Sequence, residues 1–275
     1  MRTIAICNLK GGVGKTTTAV NLAAILAAER KKRVLVVDAD SQANATSFLG
    51  GDREQPGMAA LLRREPALVQ ETNGEGVRLI AGSAELMDLD LTKAGEGTVD
   101  VQCLREVRAF LEESVSRGPH PDSWRPPSPC EGKALDYCLI DCPPAFNAAS
   151  SAALIAADEV IIPTKLDAFA LEGMANLLQQ IQNMRRLNPG LRVLGVVPTM
   201  WYKSEESTNA ERTLQEAGIP VLTKIRRSDR VDAMTYRQEP LISCSPKSGP
   251  CKDYRVLANW LDLGQGREEV QRNGE

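Results

Sequence analysis

A glycine-rich stretch near the start of the chain, residues 8–22, has the residue types and spacing that suit binding of a nucleotide phosphate. It reads NLKGGVGKTTTAVNL and lies between a short apolar run and a segment with helical apolar spacing. Glycines let backbone N–H groups approach phosphate oxygens, and a helix N-terminus adds partial positive charge. Lys15 adds a full charge, and the Thr16 hydroxyl suits the magnesium ion that accompanies a nucleotide. We expect the phosphate-binding residues to be Lys10, Gly11, Gly12, Val13, Gly14, Lys15, Thr16 and Thr17.

The entrance of this loop departs from the common phosphate-loop pattern. That pattern, GxxxxGKS/T, requires a glycine five residues before Gly14, and this position is Leu9. The next residue is a second lysine, Lys10. A second cation directed at the terminal phosphate would stabilise the charge that develops in the transition state of phosphoryl transfer. The alternative is a solvated loop lysine.

Three aspartates follow apolar runs that predict buried strands. Asp38 and Asp40 end the run VLVVDAD, and Asp141 ends the run YCLID. A carboxylate at a strand end beside a phosphate loop serves magnesium directly or through water, so Asp38, Asp141 and Thr16 are the expected metal residues. Asp38 and Asp40 share a face at extended spacing, so one can hold metal-bound water while the other orients the attacking water. The alternative for each is a helix cap or a turn.

A basic segment near residue 225 carries four positive charges against one negative charge, Asp229. Its cations are Lys224, Arg226, Arg227 and Arg230. Such a segment suits contacts with DNA phosphates that do not depend on base sequence. The alternative is a solvated start of a helix.

The elements that must position these residues alternate between strand and helix along the whole chain. Short apolar runs without alternation, such as Val34–Val37, predict strands that are buried on both faces, and Val221–Ile225 is also expected to be a strand. The expected fold is α/β: a single doubly wound, mostly parallel sheet with helices on both faces. Because ligands bind at the carboxyl ends of such strands, the loop and the three aspartates should meet at one edge.

The chain divides into one large domain and a short tail. Residues 1–263 form the predicted domain, and the polar tail covers residues 264–275. Residues 116–133 contain five prolines and the only histidine of the chain, so they predict a surface loop or insertion.

Composition excludes several classes of protein. The net charge of −3 argues against a protein that is basic overall, although a local basic patch remains compatible with it. Neither a signal peptide nor an apolar run long enough to span a membrane is visible, and seven cysteines with a nucleotide loop suggest reduced thiols. These features predict a cytoplasmic location.

Several motifs in order resemble the ParA/MinD family of P-loop ATPases. The segment KGGVGKTT matches the deviant Walker A box, VLVVDADSQANAT resembles the ParA box, and DYCLIDCPP matches the Walker B strand. ADEVIIPTKLDAFALEG and the C-terminal segments PTM and SCSPKSGPCKDYRVLANWL extend the resemblance. The chain departs from the ParA box at Ser41, where proline is usual, and at Ala43, where glycine is usual.

The resemblance implies a specific activity, that of the short ParA/Soj form. It implies ATP and magnesium as ligands and a sandwich dimer in which Lys10 reaches the phosphates of the partner subunit. Gly11 would remain small for that approach, and Asp40 would support hydrolysis. It also implies non-specific DNA binding, a ParB-type centromere-binding partner, association with the nucleoid, and segregation of a replicon. It further implies that Pro198, Thr199 and Met200 belong to the ATP-binding site.

Other functions within this fold are less consistent with the residues. A membrane-associated MinD-like ATPase needs an amphipathic C-terminal helix, but the tail is polar. A metal-cluster relative would use a C-x-x-C pair, and a bacterial tyrosine kinase would carry a terminal tyrosine cluster; the sequence has neither. A non-enzymatic scaffold would require loss of the ATP chemistry.

Overall fold

The computed structural model describes residues 1–89, 99–117, 134–167 and 170–263. Seven strands form one sheet. They are β1 (Arg2–Ile6), β2 (Val34–Asp38), β3 (Val69–Glu71), β4 (Val77–Ile80), β5 (Tyr137–Asp141), β6 (Glu159–Thr164) and β7 (Arg192–Pro198). The helices within the described ranges are α1 (Lys15–Arg30), α2 (Asn44–Phe48), α3 (Met58–Leu62), α4 (Cys103–Arg117), α5 (Ala148–Ala156), α6 (Ala170–Met184), α7 (Glu205–Glu216), α8 (Asp229–Arg237), α9 (Leu241–Cys244) and α10 (Gly249–Leu263). A short 3₁₀ helix covers Ala84–Asp88.

The strand order across the sheet is β3-β4-β2-β5-β1-β6-β7. All neighbouring strands are parallel except β3, which pairs antiparallel with β4 at the edge. The central strand β5 is in register with β1 on one side and β2 on the other, so that Asp141 lies opposite both Ile6 and Asp38. This register brings the ends of β1, β2 and β5 to the same level at one edge of the sheet.

Two apolar cores cover the two faces of the sheet. One core joins α1, α2, α8, α9 and α10 to Ile4, Ile6 and Leu139 of the strands. The other joins α3, α4, α5 and α6 to Ala5, Ile140 and Ile162. Because successive strand residues point to opposite faces, a strand covered on both sides must be apolar throughout, and β2 and β5 are buried along their full length. The predicted doubly wound α/β fold is confirmed.

Two predicted boundaries are wrong. Val221–Ile225 is not a strand, although it follows the edge strand β7 through single bridges at Val221 and Arg226. The amide of Leu222 donates to the Val196 carbonyl, and the amide of Ile225 donates to the Pro198 carbonyl. The two donors are three residues apart and the two acceptors are two residues apart, so the segment does not keep the register of a regular strand. Pro198 also has no N–H to donate.

The second correction concerns the start of the proline-rich segment. We expected a loop from residue 116, but α4 continues to Arg117 because the first proline is Pro119. Residues 118–133 and the predicted tail 264–275 lie outside the described residues. Within the described part of the chain, no helix combines the length and apolar character needed to cross a bilayer.

The loop between β2 and α2 contains a residue in an unfavourable backbone conformation. Ala43, which stands where the ParA box usually has glycine, has φ 50° and ψ 41° immediately before α2. This is the left-handed region, which costs a residue with a Cβ roughly 1–2 kcal/mol. The turn is retained by a hydrogen bond from the Ala43 amide to the Asp40 carbonyl. The loop therefore keeps a hydrogen-bonded turn with strain at Ala43.

We therefore expect Ala43→Gly to raise the free energy of unfolding by about 1 kcal/mol, because glycine adopts this conformation without steric cost. Urea unfolding followed by circular dichroism measures the change. The matched control is Ala210→Gly inside α7, where the same substitution should lower stability by about 0.5–1 kcal/mol. Equal destabilisation by both substitutions would contradict the strain at Ala43.

Candidate functional site

The glycine-rich loop connects β1 to α1 at the carboxyl edge of the sheet. Gly12 has φ 69° and Gly14 has φ 84°, both in the region that favours glycine. The carbonyl of Gly14 accepts the first helical hydrogen bond of α1, from the amide of Thr18 at 2.9 Å. The structure thus has the strand, loop and helix order that a phosphate-binding loop requires, with the helix N-terminus directed toward the loop.

Lys15 is folded back across this loop. Its side chain is only 7% exposed, and its Nζ donates to the Lys10 carbonyl at 3.0 Å. Burial lowers the pKa of Lys15, while the charge of Asp141 acts in the opposite direction. The ammonium therefore lies inside the loop and close to the aspartates, where a phosphate group would offer stronger hydrogen bonds than the single carbonyl it contacts here.

Asp141 is the most unusual ionisable group of the site. Its side chain is fully buried, and within the described residues neither carboxylate oxygen has a hydrogen-bond partner. Burial raises the pKa of Asp141 well above its usual range, and neighbouring Asp38 raises it further, against the opposing effects of the Thr16 hydroxyl and Lys15. Buried carboxylates without partners are costly unless a cation compensates them. The residues present therefore fit a magnesium ion, which Asp141 and Thr16 would hold.

Asp38 lies next to Asp141 in the register of the sheet but has partners of its own. Its Oδ2 accepts from the amide of Thr46 at 2.7 Å and from the hydroxyl of Thr46 at 2.8 Å. Burial raises the pKa of Asp38 to about 6 even though these bonds favour the charged form. Because Thr46 already donates two hydrogen bonds to one carboxylate oxygen, direct ligation of a metal by Asp38 is less favourable. Asp38 fits an outer role better, in which it would hold a metal-bound water or influence the pKa of Asp141.

The predicted aspartate Asp40 has a partner in the loop that follows it. Its Oδ1 accepts from the amide of Gln42 at 3.0 Å, and the residue is 8% exposed. The carboxylate therefore stabilises a turn, which was the alternative interpretation of Asp40 from the sequence. Asp40 also lies at the carboxyl edge of the sheet, two residues beyond Asp38. The two roles are compatible because a carboxylate has two oxygens and several acceptor positions.

Lys10 lies on the outer side of the loop. Its Nζ contacts Oδ2 of Asp167 at 2.6 Å, and its side chain is 40% exposed. Gly11 beside it is exposed, and a Cβ placed on Gly11 would have no heavy atom within 4 Å. Asp167 was missed by sequence reasoning, as was Thr46; each lies in a segment that resembles a family motif, but no residue pattern assigned it a partner.

A cavity of about 260 Å³ opens beside the loop. Gly14, Thr17, Thr199, Met200 and Arg227 line it, together with Tyr202, Ile225, Arg226, Ser228, Val231, Asp232, Tyr254 and Lys165. Of the predicted residues at the end of β7, Thr199 and Met200 reach this cavity. Pro198 does not line it, and its carbonyl instead accepts from the Ile225 amide at 2.7 Å. The cavity borders the loop at Gly14 and Thr17.

The basic segment divides into two pairs of cations. Lys224 contacts Oε2 of Glu211 at 2.6 Å and lies 4.8 Å from the centre of the Trp201 ring. Arg226 contacts the carboxylate of Asp253, with the shortest distance 2.7 Å, and donates to the Gly249 carbonyl. Arg227 and Arg230 are exposed. The first pair is engaged within the chain, and the second pair faces solvent near the cavity.

The strand-loop-helix junction, the buried lysine and the buried carboxylates at one sheet edge define a P-loop NTPase. Residues 4–241 match the family model described as the CobQ/CobB/MinD/ParA nucleotide binding domain. The chain belongs to this family.

Relatives with names and solved structures support that membership. The chain is 38% identical over 202 residues to the chromosome-partitioning ATPase Soj of Thermus thermophilus, which covers 73% of this chain and 70% of that protein. A variant of McdA from Cyanothece in complex with ATP has a TM-score of 0.76 at 25% identity, covering 96% of both chains. Cobyrinic acid a,c-diamide synthase from Mycobacterium smegmatis, with ADP and magnesium, has a TM-score of 0.75 at 26% identity, covering 98% of this chain and 97% of that chain.

We predict that Asp141→Asn stabilises the nucleotide-free protein. A folded-state carboxyl pKa above the unfolded value means that the native state binds more protons, so wild-type stability falls as pH rises from about 4 through the raised pKa range. Asparagine lacks this titration, and the gain should grow with pH and reach at least about 1 kcal/mol at pH 7.

Urea unfolding midpoints measured between pH 4 and 8 test this prediction. The control is Glu54→Gln, which removes an exposed carboxylate. The control should show no gain that grows with pH. A gain for Asp141→Asn that stays constant across this range would show that the charge of Asp141 is not the cause.

Proposed function

We propose that this chain is an ATP-dependent DNA-partitioning ATPase. ATP binding would drive formation of a sandwich dimer that binds DNA without sequence preference, and hydrolysis would reset the cycle. The observation that carries the proposal is the different placement of the two loop lysines. Lys15 is buried against the aspartates of its own subunit, whereas Lys10 is held on the outer side of the loop by Asp167. The similarity to the chromosome-partitioning ATPase Soj supports this cellular process.

The site residues fit ATP and magnesium in distinct roles. The loop from Gly11 to Thr17 would hold the phosphates, with Lys15 neutralising their charge; Thr16 and Asp141 would hold magnesium, and Asp38 would stand behind them. Magnesium, when bound, neutralises charge on the phosphates. Asp40 would orient the attacking water at the open side of the edge. The cavity lined by Thr199 and Met200 would take the base. The relative from M. smegmatis, which holds ADP and magnesium, supports these ligands.

Dimer formation is supported by the open space around Gly11. This glycine has neither a positive φ nor a crowded neighbour, so nothing within the described residues of one subunit requires it to lack a side chain. A second copy approaching the loop would require it. Lys10 would then exchange Asp167 for the phosphates of the partner, gaining a stronger charge-assisted contact. The ion pair with Asp167 would keep this lysine ordered in the monomer.

DNA binding would use the exposed cations of the basic segment. Arg227 and Arg230 are free to face phosphates, while Lys224 and Arg226 would contribute only by leaving Glu211 and Asp253. Binding to DNA would place the protein on the nucleoid in the cytoplasm. A ParB-type centromere-binding protein would stimulate hydrolysis and release the dimer.

The decisive experiment measures binding to non-specific DNA with and without Mg-ATP across a salt titration. We expect ATP-dependent binding whose affinity falls steeply with salt. Lys15→Ala should abolish ATP binding, and Gly11→Val should retain ATP binding but block the dimer in sedimentation. Asp40→Ala should hold the protein in the DNA-bound state. DNA binding that is independent of ATP would refute the proposed switch and favour a scaffold.

For the DNA surface, we expect Arg227→Glu with Arg230→Glu to weaken DNA binding. If each arginine neutralises one phosphate, the slope of log K against log salt should decrease by about two. Arg186→Glu changes an exposed cation near the opposite edge of the sheet and is the matched control. ATP affinity is measured in parallel, since Arg227 lines the cavity. Unchanged DNA binding in the double variant would refute this surface.

A further inference from the structure

The P-loop is fastened to the rest of the domain by hydrogen bonds from two buried side chains, those of Asn8 and Thr199. Asn8 and Thr199 are 5% and 4% exposed. Asn8 stands at the entrance of the loop, and Thr199 follows the last residue of β7. Both side chains form hydrogen bonds with backbone groups of the loop or of the neighbouring strand end.

Asn8 joins the loop entrance to the end of β6. Its Nδ2 donates to the Pro163 carbonyl at 2.8 Å, with a longer contact of 3.3 Å to the Thr164 hydroxyl. Its Oδ1 accepts from the amide of Lys10 at 3.0 Å. The last backbone bond from β1 to β6 is that of the Cys7 amide to the Ile161 carbonyl at 3.0 Å. The carboxamide of Asn8 therefore continues the attachment to β6 beyond the point where the strand ladder ends.

Thr199 joins the middle of the loop to the end of β7. Its hydroxyl donates to the Val13 carbonyl at 2.9 Å, and its methyl group lies 3.5 Å from the position of a Cβ on Gly14. Val13 is 1% exposed, so removal of the hydroxyl would leave a carbonyl of a buried residue without this partner. The contact lies one residue before Gly14, whose carbonyl starts α1.

The two attachment points belong to one rigid frame. The amide of Thr199 donates to the carbonyl of Thr164 at 2.8 Å, which ties the end of β7 to the end of β6. Asn8 holds the half of the loop that carries Lys10, and Thr199 holds the half that carries Gly14 and Lys15. A loop held at two points on adjacent strands keeps its N–H groups directed at one place, and such order reduces the entropy lost when a ligand binds.

We propose that Asn8 and Thr199 are positioning residues that set the two halves of the P-loop separately. Asn8 fixes the backbone at Lys10, the lysine of the intersubunit step, and Thr199 fixes the backbone at Gly14 and Lys15, which face the nucleotide of the same subunit. The assignment to two steps rests on the proposed function, whereas the attachment itself is a property of the nucleotide-free chain. Thr199 thus acts through the loop in addition to lining the cavity that would take the base.

Amide hydrogen exchange of the nucleotide-free protein tests the attachment. Asn8→Ala should accelerate exchange at the Lys10 amide, and Thr199→Val should accelerate exchange at the Thr18 amide, each roughly five- to tenfold, the effect of losing one hydrogen bond. Thr199→Ser retains the hydroxyl and should restore the wild-type rate. Asn8→Leu, which has a similar volume and no hydrogen-bonding side-chain atom, replaces Asn8→Ala if that variant does not fold.

The controls remove the same chemical groups elsewhere. Thr3→Val removes a buried hydroxyl that has no hydrogen-bond partner within the described residues. Asn188→Ala removes an amide that donates to the Leu154 and Ala157 carbonyls at 2.9 and 2.7 Å, near the opposite edge of the sheet. Neither should change exchange at Lys10 or Thr18. Exchange at these two amides within twofold of wild type in Asn8→Ala and Thr199→Val would overturn the proposal.

Titrations with Mg-ATP separate the two halves. Thr199→Val should weaken ATP binding roughly tenfold, whereas Asn8→Ala should retain ATP affinity and lose ATP-dependent dimer formation. The division of roles would be overturned if both variants bound ATP and formed the dimer as the wild-type protein does. If the wild-type protein does not bind ATP, the proposed function fails, while the exchange measurement still decides the attachment.

Discussion

The structure depends on the burial of two carboxylates at the centre of the sheet. Asp38 and Asp141 end neighbouring strands at the same level, and both are completely shielded from solvent. Thr46 partly satisfies Asp38, but Asp141 has no hydrogen-bond partner in the described part of the chain. Burial raises the pKa of both groups, and a neighbouring carboxylate acts in the same direction on each: Asp40 on Asp38, and Asp38 on Asp141.

Such an arrangement is unfavourable for the isolated chain and favourable for a ligand with positive charge. Lys15 carries one positive charge beside the carboxylates of Asp38, Asp40 and Asp141, so it can compensate only part of their negative charge. A divalent cation carried by a nucleotide would offset the remainder, so the cost of burial in the empty state becomes affinity in the bound state. This is a physical reason for a nucleotide-binding edge at the carboxyl ends of β1, β2 and β5.

The loop above these carboxylates separates two lysines that the sequence places five residues apart. Lys15 is turned inward by the start of α1, and Lys10 is turned outward and paired with Asp167. Asn8 attaches the entrance of this loop to the end of β6, and Thr199 attaches its middle to the end of β7. Rigid attachment allows one short loop to present one cation to its own ligand and another to its surroundings. The strain at Ala43, by contrast, lies in the neighbouring loop between β2 and α2.

The sequence by itself determined the fold class and most of the residues at the candidate site. Uninterrupted apolar runs such as VLVVD require burial on both faces, and the glycine spacing of the loop permits few other structures. Only the tertiary structure decided which side chains meet. Asp167, Thr46 and the attachment role of Thr199 depend on partners 157, 8 and 186 residues away, and no local pattern encodes such pairs. The same limit explains why Lys224 and Arg226 resembled free cations: Glu211 and Asp253 approach them only through packing of α7 and α10.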